Sequence, residues 1–231
     1  MRIQKYISLT GIYPRREIER LIRDNRVAIN HQHANKNSMV ETGDTVLIDG
    51  KVIESCETTP IYIALHKPVG ITCTAQKSVE GNIIDFINYP ERIFPVGRLD
   101  KASEGLILLT NNGDIVNKIL RGEHNHEKEY IVTVDRAFTD KFLKNMSEGV
   151  AILDTVTKPC KVSRISECVF RIILTQGLNR QIRRMCKALG HNVIRLQRIR
   201  IMNVELDDLK AGEWRYLREE ELKELMGLLS L

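Results

Sequence analysis

Residues 94–110 read FPVGRLDKASEGLILLT, and this stretch decides the fold of the larger part of the chain. An apolar approach ends at Gly97, and a polar turn leads to Gly105 and the apolar run 106–109, which stops at an Asn-Asn-Gly turn. A short apolar run bounded by glycine and a turn is typical of a buried strand. Asp100 therefore lies in a loop that leads into a core strand, where a rigid scaffold can aim a side chain into a cleft.

Two positive residues, Arg98 and Lys101, flank Asp100. Nearby positive charge lowers the pKa of a carboxyl group and keeps it ionised, and an ionised aspartate can act as a nucleophile or a base. Aspartate is also a common turn residue. The residue types alone favour the turn-capping interpretation over the catalytic one.

The chain has 231 residues, enough for a small and a medium domain, and a formal net charge of +5. The charge is concentrated between residues 171 and 204, where no Asp or Glu occurs. That segment holds eight basic residues: Arg171, Arg180, Arg183, Arg184, Lys187, Arg195, Arg198 and Arg200. Such a block predicts a polyanionic partner, and RNA phosphate fits best.

The five cysteines are odd in number and include no C-x-x-C pair: Cys56, Cys73, Cys160, Cys168 and Cys186. This pattern argues against a disulfide framework or a zinc site and favours the reducing cytosol. Charged, helix-like sequence follows Met1 at once, and no apolar run approaches membrane-spanning length. We therefore expect a cytoplasmic protein with no membrane contact and no metal site.

Residues 1–58 are predicted to form a separate small module. Apolar residues at helical spacing predict two short amphipathic helices, separated by Gly11 and Pro14, before strands at 27–30 and 45–48. Basic residues fall on the other helix faces, among them Arg2, Lys5, Arg15 and Arg16. Such residues fit a solvated helix face as well as an RNA contact.

A polar linker is predicted at 55–60, and a second domain is predicted over residues 59–231. Runs rich in β-branched residues and alternating patterns predict strands at 61–65, 130–134, 160–165, 168–175 and 193–201. Apolar residues at helical spacing predict helices at 83–87, 112–120 and 139–146 and at the C-terminus.

Residues 179–191 give the strongest physical signal. Ile182, Met185, Cys186 and Leu189 recur at the spacing of one inward helix stripe, with Asn179 as the expected cap. A neighbouring stripe is entirely basic: Arg180, Arg183, Arg184 and Lys187. A basic helix with no acids in its own segment predicts an anion nearby.

The string GRLDKASEGLILLT, residues 97–110, closely resembles the central motif of the RNA pseudouridine synthases. It is most similar to the branch that modifies ribosomal RNA and carries an N-terminal S4 domain. The resemblance extends from about Arg2 to Trp214, and it implies that Asp100 is the catalytic residue. In the S4-like part, Pro14 and Asn25 depart from the usual Ser and Gly, which puts local turn geometry in question.

Three further segments carry the same resemblance: KPVGITCT at 67–74, KEY at 128–130 and GLNRQIRRM at 177–185. The resemblance implies that Tyr130 stacks on the reacting base and that Arg183 pairs with Asp100, with Arg180 or Arg184 as alternatives. We expect a further set of basic residues, from both predicted domains, to contact RNA: Arg2, Lys5, Arg15, Arg16, Lys67, Arg98, Arg180, Arg184 and Lys187.

The resemblance implies an α+β protein, with an S4 domain and a catalytic domain whose mixed, mainly antiparallel sheet is flanked by helices. Pseudouridine formation needs no cofactor and no metal. HEKEY at 126–130 and RIMNV at 200–204 resemble a subgroup that acts on large-subunit ribosomal RNA; transfer RNA is an alternative substrate. We expect a monomer. The rival hypothesis is a non-catalytic RNA-binding or ribosome-assembly factor, which would give Asp100 no task.

Overall fold

The computed structural model describes residues 1–54, 59–76, 78–120 and 125–229. The chain divides into two compact units, residues 1–60 and 61–231. Most of the predicted linker, residues 55–58, lies outside the described residues, so the predicted boundary at 58/59 stays a prediction. No helix in the described part of the chain has the length and apolar character that a membrane span requires.

The first unit contains helices α1 (Ile3–Leu9) and α2 (Arg15–Arg23), followed by strands β1 (Val27–Ile29), β2 (Gln32–His33), β3 (Val46–Ile48) and β4 (Lys51–Val52). The strands form one sheet in the order β2-β1-β3-β4. The apolar helix faces and the sheet share one core, which includes Ile7, Ile18 and Val46. Asn25 has a left-handed φ of 54°, which asparagine tolerates, so it can replace the usual glycine of this turn.

The second unit begins with strand β5 (Tyr62–Lys67), helix α3 (Ile83–Ile87), strands β6 (Phe94–Val96) and β7 (Glu104–Thr110), and helix α4 (Gly113–Leu120). Its middle part comprises β8 (Lys128–Val134), α5 (Asp140–Glu148), β9 (Ala151–Ile152), β10 (Thr155–Val156), β11 (Lys161–Arg164) and β12 (Val169–Leu174). Its last part comprises α6 (Gln181–Ala188), β13 (Val193–Ile201), β14 (Val204–Glu205), β15 (Trp214–Tyr216) and α7 (Glu219–Leu228).

A nine-stranded sheet organises the second unit. Seven strands follow the order β11-β12-β8-β13-β7-β5-β15, while β14 pairs with β13 and β6 pairs with β7. Strands β13 and β7 pair in parallel, and the other registered pairs within the described residues are antiparallel. The predicted mixed, mainly antiparallel sheet is therefore confirmed.

Helices pack on both faces of this sheet, because alternate strand residues point to opposite sides. On one face, α4 and α7 pack against Leu106 and Leu108 of β7. On the other face, α5 and α6 cover the strands around Val132, while α3 covers the strands around Ile107. Tyr130 packs against both of these latter clusters, so it marks their junction.

Candidate active site

The candidate site lies on the sheet face that carries α3, α5 and α6. Four residues of neighbouring strands are in register across it: Lys67 of β5, Gly105 of β7, Arg198 of β13 and Tyr130 of β8. Directly paired residues share a face, so their side-chain positions form one row. The loop that bears Asp100 leads into this row at β7.

Backbone contacts hold the loop that bears Asp100 in place. The Leu99 N–H donates to Cys73 Sγ at 3.3 Å, the Ser103 N–H donates to the Asp100 carbonyl at 3.0 Å, and the Gly70 N–H donates to the Lys101 carbonyl at 2.8 Å. The Cys73 thiol is buried, and this burial raises its pKa. These contacts tie the loop to the segment after β5, so they limit where the Asp100 carboxylate can lie.

Two arginines face the Asp100 carboxylate, whose side chain is 37% exposed. The Nε atoms of Arg180 and Arg183 each lie 3.9 Å from Asp100 Oδ2. This is ion-pair distance rather than hydrogen-bond distance, and catalytic hydrogen bonds often tighten only when substrate binds. The two positive charges attract the carboxylate and limit the directions in which it can point.

Arg183 is the buried member of the pair, with a side chain 13% exposed. Its Nη2 donates to the Ala102 carbonyl at 2.8 Å and to Ser103 Oγ at 3.2 Å, while Nη1 donates to the Val193 carbonyl at 3.2 Å. Burial lowers the pKa of Arg183, and Asp100 opposes this shift. Arg183 therefore joins α6, β13 and the Asp100 loop, as well as contributing charge.

Arg180 reaches Asp100 from the start of α6, with a side chain 56% exposed. It is the N-cap residue and has a left-handed φ of 50°, a conformation that costs about 1–2 kcal/mol for a residue with a Cβ. The prediction that Asn179 caps α6 is therefore wrong. The carbonyl and Oδ1 of Asn179 instead accept hydrogen bonds from the Arg184 side chain. The buried Gln181 side chain reaches back to the Leu178 N–H.

Arg184, one of the two alternatives for the partner of Asp100, points elsewhere. Its Nε and Nη2 each donate to Asn179 at 3.0 Å, and the side chain lines a shallow depression with Lys187, Ile152, Leu153 and Ala188. Arg184 and Lys187 are exposed there, on the flank of α6, so they are open to a phosphate.

The structure contradicts the expected RNA contact of Lys67. Its side chain is fully buried, and its ammonium group donates to the carbonyls of Pro68 at 2.7 Å and Ile71 at 2.9 Å. Burial lowers its pKa. Lys67 therefore stabilises the loop that follows β5. Its buried ammonium group cannot contact a phosphate at the surface.

The other expected RNA contacts are at the surface. Arg98 is exposed beside the Asp100 loop. In the first unit the four basic residues expected to contact RNA are also exposed: Arg2, Lys5, Arg15 and Arg16. Arg15 lies 3.8 Å from Glu19, an exposed pair that contributes little.

Acids from outside the basic block neutralise several of its strand arginines, which lie on β12 and β13. Arg200 bonds Glu129 at 2.7 Å and Glu127 at 2.9 Å, and Arg171 lies 3.3 Å from Glu129. Arg195 pairs with Glu104. Glu104 begins β7, Glu129 lies in β8 and Glu127 directly precedes β8, so the sheet brings in the partners that the local sequence lacks.

Sequence reasoning missed three residues that shape the site: Cys73, Ser103 and Gly105. A Cβ added to Gly105 would lie 2.2 Å from the Arg198 carbonyl oxygen, so only glycine lets β7 and β13 approach there. Ser103 is buried and accepts from Arg183. Ser103 and Gly105 lie within the quoted motif, but nothing local shows which strand or helix will meet them.

Comparisons with known proteins give one consistent result. The family model described as RNA pseudouridylate synthase matches residues 61–188, and the S4 domain model matches residues 1–46. The chain is 53% identical over 229 residues to the dual-specificity RNA pseudouridine synthase RluF of Salmonella typhi, covering 99% of this chain and 79% of that protein.

Two more distant relatives agree with this result. The ribosomal large subunit pseudouridine synthase B of Bacillus subtilis is 33% identical over 236 residues, covering 98% of this chain and 96% of that one. A crystal structure of a pseudouridylate synthase superposes with a TM-score of 0.72 at 28% identity, covering 97% of this chain and 99% of that one.

Proposed function

Because the chain belongs to the RNA pseudouridine synthase family and isomerises uridine to pseudouridine, we propose that ribosomal RNA is its substrate and that Asp100 is its catalytic carboxylate. The name of the Bacillus subtilis relative, a ribosomal large subunit pseudouridine synthase, supports a ribosomal substrate. The Salmonella typhi relative is named a dual-specificity enzyme, which supports a second substrate. We propose large-subunit RNA as the main target and a cytoplasmic monomer as the active form, with a second RNA, such as transfer RNA, as a further substrate.

One observation carries the assignment of Asp100. Its carboxylate is partly open to solvent, lies between Arg180 and Arg183 at 3.9 Å from each, and sits on a loop fixed at several backbone positions. A preorganised, charge-stabilised carboxylate that substrate can reach is what a nucleophile or base requires. A turn-capping aspartate would need neither arginine.

The reaction breaks the bond between uracil N1 and ribose C1′, and the base rotates and rejoins through C5. Asp100 either removes the C2′ proton, which gives a glycal, or attacks C1′; the geometry is compatible with both. Arg183 would hold the carboxylate ionised and aimed. Extruding the uridine costs roughly a few kcal/mol, and stacking on Tyr130 would offset about 1–3 kcal/mol of that.

The surface charges support the grip on the surrounding RNA. Arg180, Arg184 and Lys187 follow one flank of α6, and Arg98 is exposed beside the Asp100 loop. We assign the S4 unit, through Arg2, Lys5, Arg15 and Arg16, to backbone contacts that carry no sequence information. Lys67 is removed from this set, because it is buried.

The test compares wild type with Asp100→Asn on ribosomal and transfer RNA from cells that lack the protein. Pseudouridines are mapped by carbodiimide modification and primer extension, and RNA affinity is measured in parallel. We expect a site that wild type forms and Asp100→Asn does not, with affinity retained. Asp208→Asn, at an exposed turn, is the matched control and should stay active. An active Asp100→Asn would overturn the assignment, and tight binding without any modified site would support the assembly-factor hypothesis.

A further inference from the structure

Arg198 is a buried arginine that the proposed mechanism does not use. Only 3% of it is exposed, and its Nε donates to the Leu106 carbonyl at 2.7 Å. Its Nη2 is also buried, yet it has no hydrogen-bond partner among the described residues. No carboxylate of the described residues lies within ion-pair distance of it.

The other arginines of β13 have carboxylate partners, unlike Arg198. On the same strand, Arg195 pairs with Glu104 and Arg200 pairs with Glu127 and Glu129. Guanidinium groups stay charged in proteins, and an uncompensated buried charge is costly. A buried polar group without a partner therefore requires an explanation.

The position of Arg198 supplies one. It stands between Tyr130 and Gly105 in the row that crosses the candidate site, on the face that carries the Asp100 loop. Gly105 brings no side chain to this row, and the Arg198 backbone packs directly against it. Tyr130, which we assign to stacking on the reacting base, is its direct partner in the antiparallel pairing.

Arg198 also lies close to the segment that supports Asp100. Burial raises the pKa of Cys73, and the positive charges of Lys67, Arg198 and Arg98 oppose that shift. Cys73 accepts the hydrogen bond of the Leu99 N–H, next to Asp100. The charge of Arg198 therefore acts on the thiol that accepts a hydrogen bond from the Asp100 loop.

We propose that Arg198 is a further substrate-binding residue, whose Nη2–H donates to a carbonyl oxygen of the extruded uracil and whose charge stabilises the uracil anion. This inference rests on the proposed function. When the C1′–N1 bond breaks, its electron pair leaves with the base, and the negative charge spreads over N1, O2 and O4. C5 then attacks C1′, the C5 proton passes to water, and N1 takes up a proton in its place, so the product is an isomer of uridine and Arg198 stays unchanged. A preorganised donor aimed at such developing charge is an effective catalytic device.

The test measures single-turnover rates with saturating enzyme on a short RNA containing the mapped target uridine, using the full chain. Arg198→Lys keeps the charge but loses the planar donor pair, and Arg198→Met loses both. We expect Arg198→Lys to lower the rate about 10²–10³-fold, with RNA affinity within about threefold of wild type, since a buried side chain does not touch the RNA backbone. Arg198→Met should be slower still.

Arg215→Lys is the matched control, because Arg215 lies on the same sheet but has Glu221 and Asp207 as partners. It should lower the melting temperature and leave the rate unchanged. Arg198→Lys with a lowered melting temperature and a wild-type rate would show a purely structural role and overturn the proposal.

A substrate change tests the contact without relying on the folding of any variant. Wild type is assayed with 2-thiouridine or 4-thiouridine at the target position, since sulfur accepts hydrogen bonds weakly. We expect one of these to slow wild type more than Arg198→Lys. If neither slows wild type, the proposal fails. If wild type modifies no RNA at all, the proposed function itself fails, so the two failures are distinct.

Discussion

The two halves of the basic block between residues 171 and 204 look alike in sequence and differ in the structure. In the strand half, which comprises the arginines of β12 and β13, Arg171 and Arg200 share Glu129 and Arg195 pairs with Glu104. Its fourth arginine, Arg198, is buried without a carboxylate partner among the described residues. The helix half is open: Arg184 and Lys187 have no carboxylate partner within the described ranges, and Arg180 faces Asp100. A run of basic residues therefore does not measure free positive charge, because a sheet can supply acids from distant strands.

We expect the largest effect on the reaction rate from substituting Arg183, the buried arginine of the helix half. Arg183→Met removes the charge beside Asp100 and the hydrogen bonds to Ala102 and Ser103. We expect the single-turnover rate to fall about 10²–10³-fold, with RNA affinity nearly unchanged. The control is Arg164→Met, because Arg164 lies on β11 and pairs with Asp140 of α5. A wild-type rate in Arg183→Met would mean that Arg180 alone suffices.

The second prediction breaks the strand half from its acidic side. Glu129→Gln leaves Arg200 and Arg171 without their shared carboxylate. Because the side chain of Glu129 is buried, we expect the free energy of unfolding to drop by about 3 kcal/mol, measured by urea denaturation. Adding Arg200→Met should restore part of the loss. An unchanged stability in Glu129→Gln would show that solvent replaces the pair at no cost.

The third prediction concerns which half of the basic block contacts RNA phosphates. Each phosphate contact contributes about 0.7–0.9 to the slope of log affinity against log salt concentration. We therefore expect Lys187→Met to reduce that slope by about 1, while Arg171→Met leaves it unchanged. Filter binding between 50 and 300 mM salt measures both. Equal slope changes in the two variants would erase the distinction between the halves.

The smallest effect concerns pH. The hydrogen bond from Arg200 lowers the pKa of Glu127 below its ordinary value of 4.5. A carboxyl whose folded-state pKa is lowered stabilises the fold above its unfolded pKa, and this contribution disappears as the pH falls through the folded-state value. We expect Glu127→Gln to be slightly less stable than wild type at pH 7 and to converge with it once the pH falls below the lowered pKa of the folded state. Chemical denaturation at several pH values tests this, and a constant difference would contradict it.

The sequence was a reliable guide to local structure and family. The strand at 193–201 and the helix at 83–87 have the predicted bounds, and Thr139 caps α5 as expected. The predicted family, S4 domain and pseudouridine synthase fold are confirmed. Hydrophobic periodicity, turn residues and motif strings each involve residues close together in the chain, so they can be recognised in the sequence alone.

The environment of individual charges was not predictable in the same way. Lys67 is buried although its motif suggested a surface contact. Among the described residues, Arg198 has no carboxylate partner of the kind that Arg195 and Arg200 have. The acids that neutralise the strand half lie far away in the sequence: Glu129 is 71 residues from Arg200, and Glu104 is 91 residues from Arg195. No local pattern contains that information.

The sequence by itself determined the elements, the family and the position of Asp100 in a loop before a buried strand. Only the tertiary structure decided which arginines face Asp100, which are neutralised and which stays buried without a carboxylate. The physical reason is that hydrophobic period and turn chemistry act over a few residues, whereas the energy of a charge depends on burial and on partners within about 4 Å. Strand pairing and helix packing set both of these.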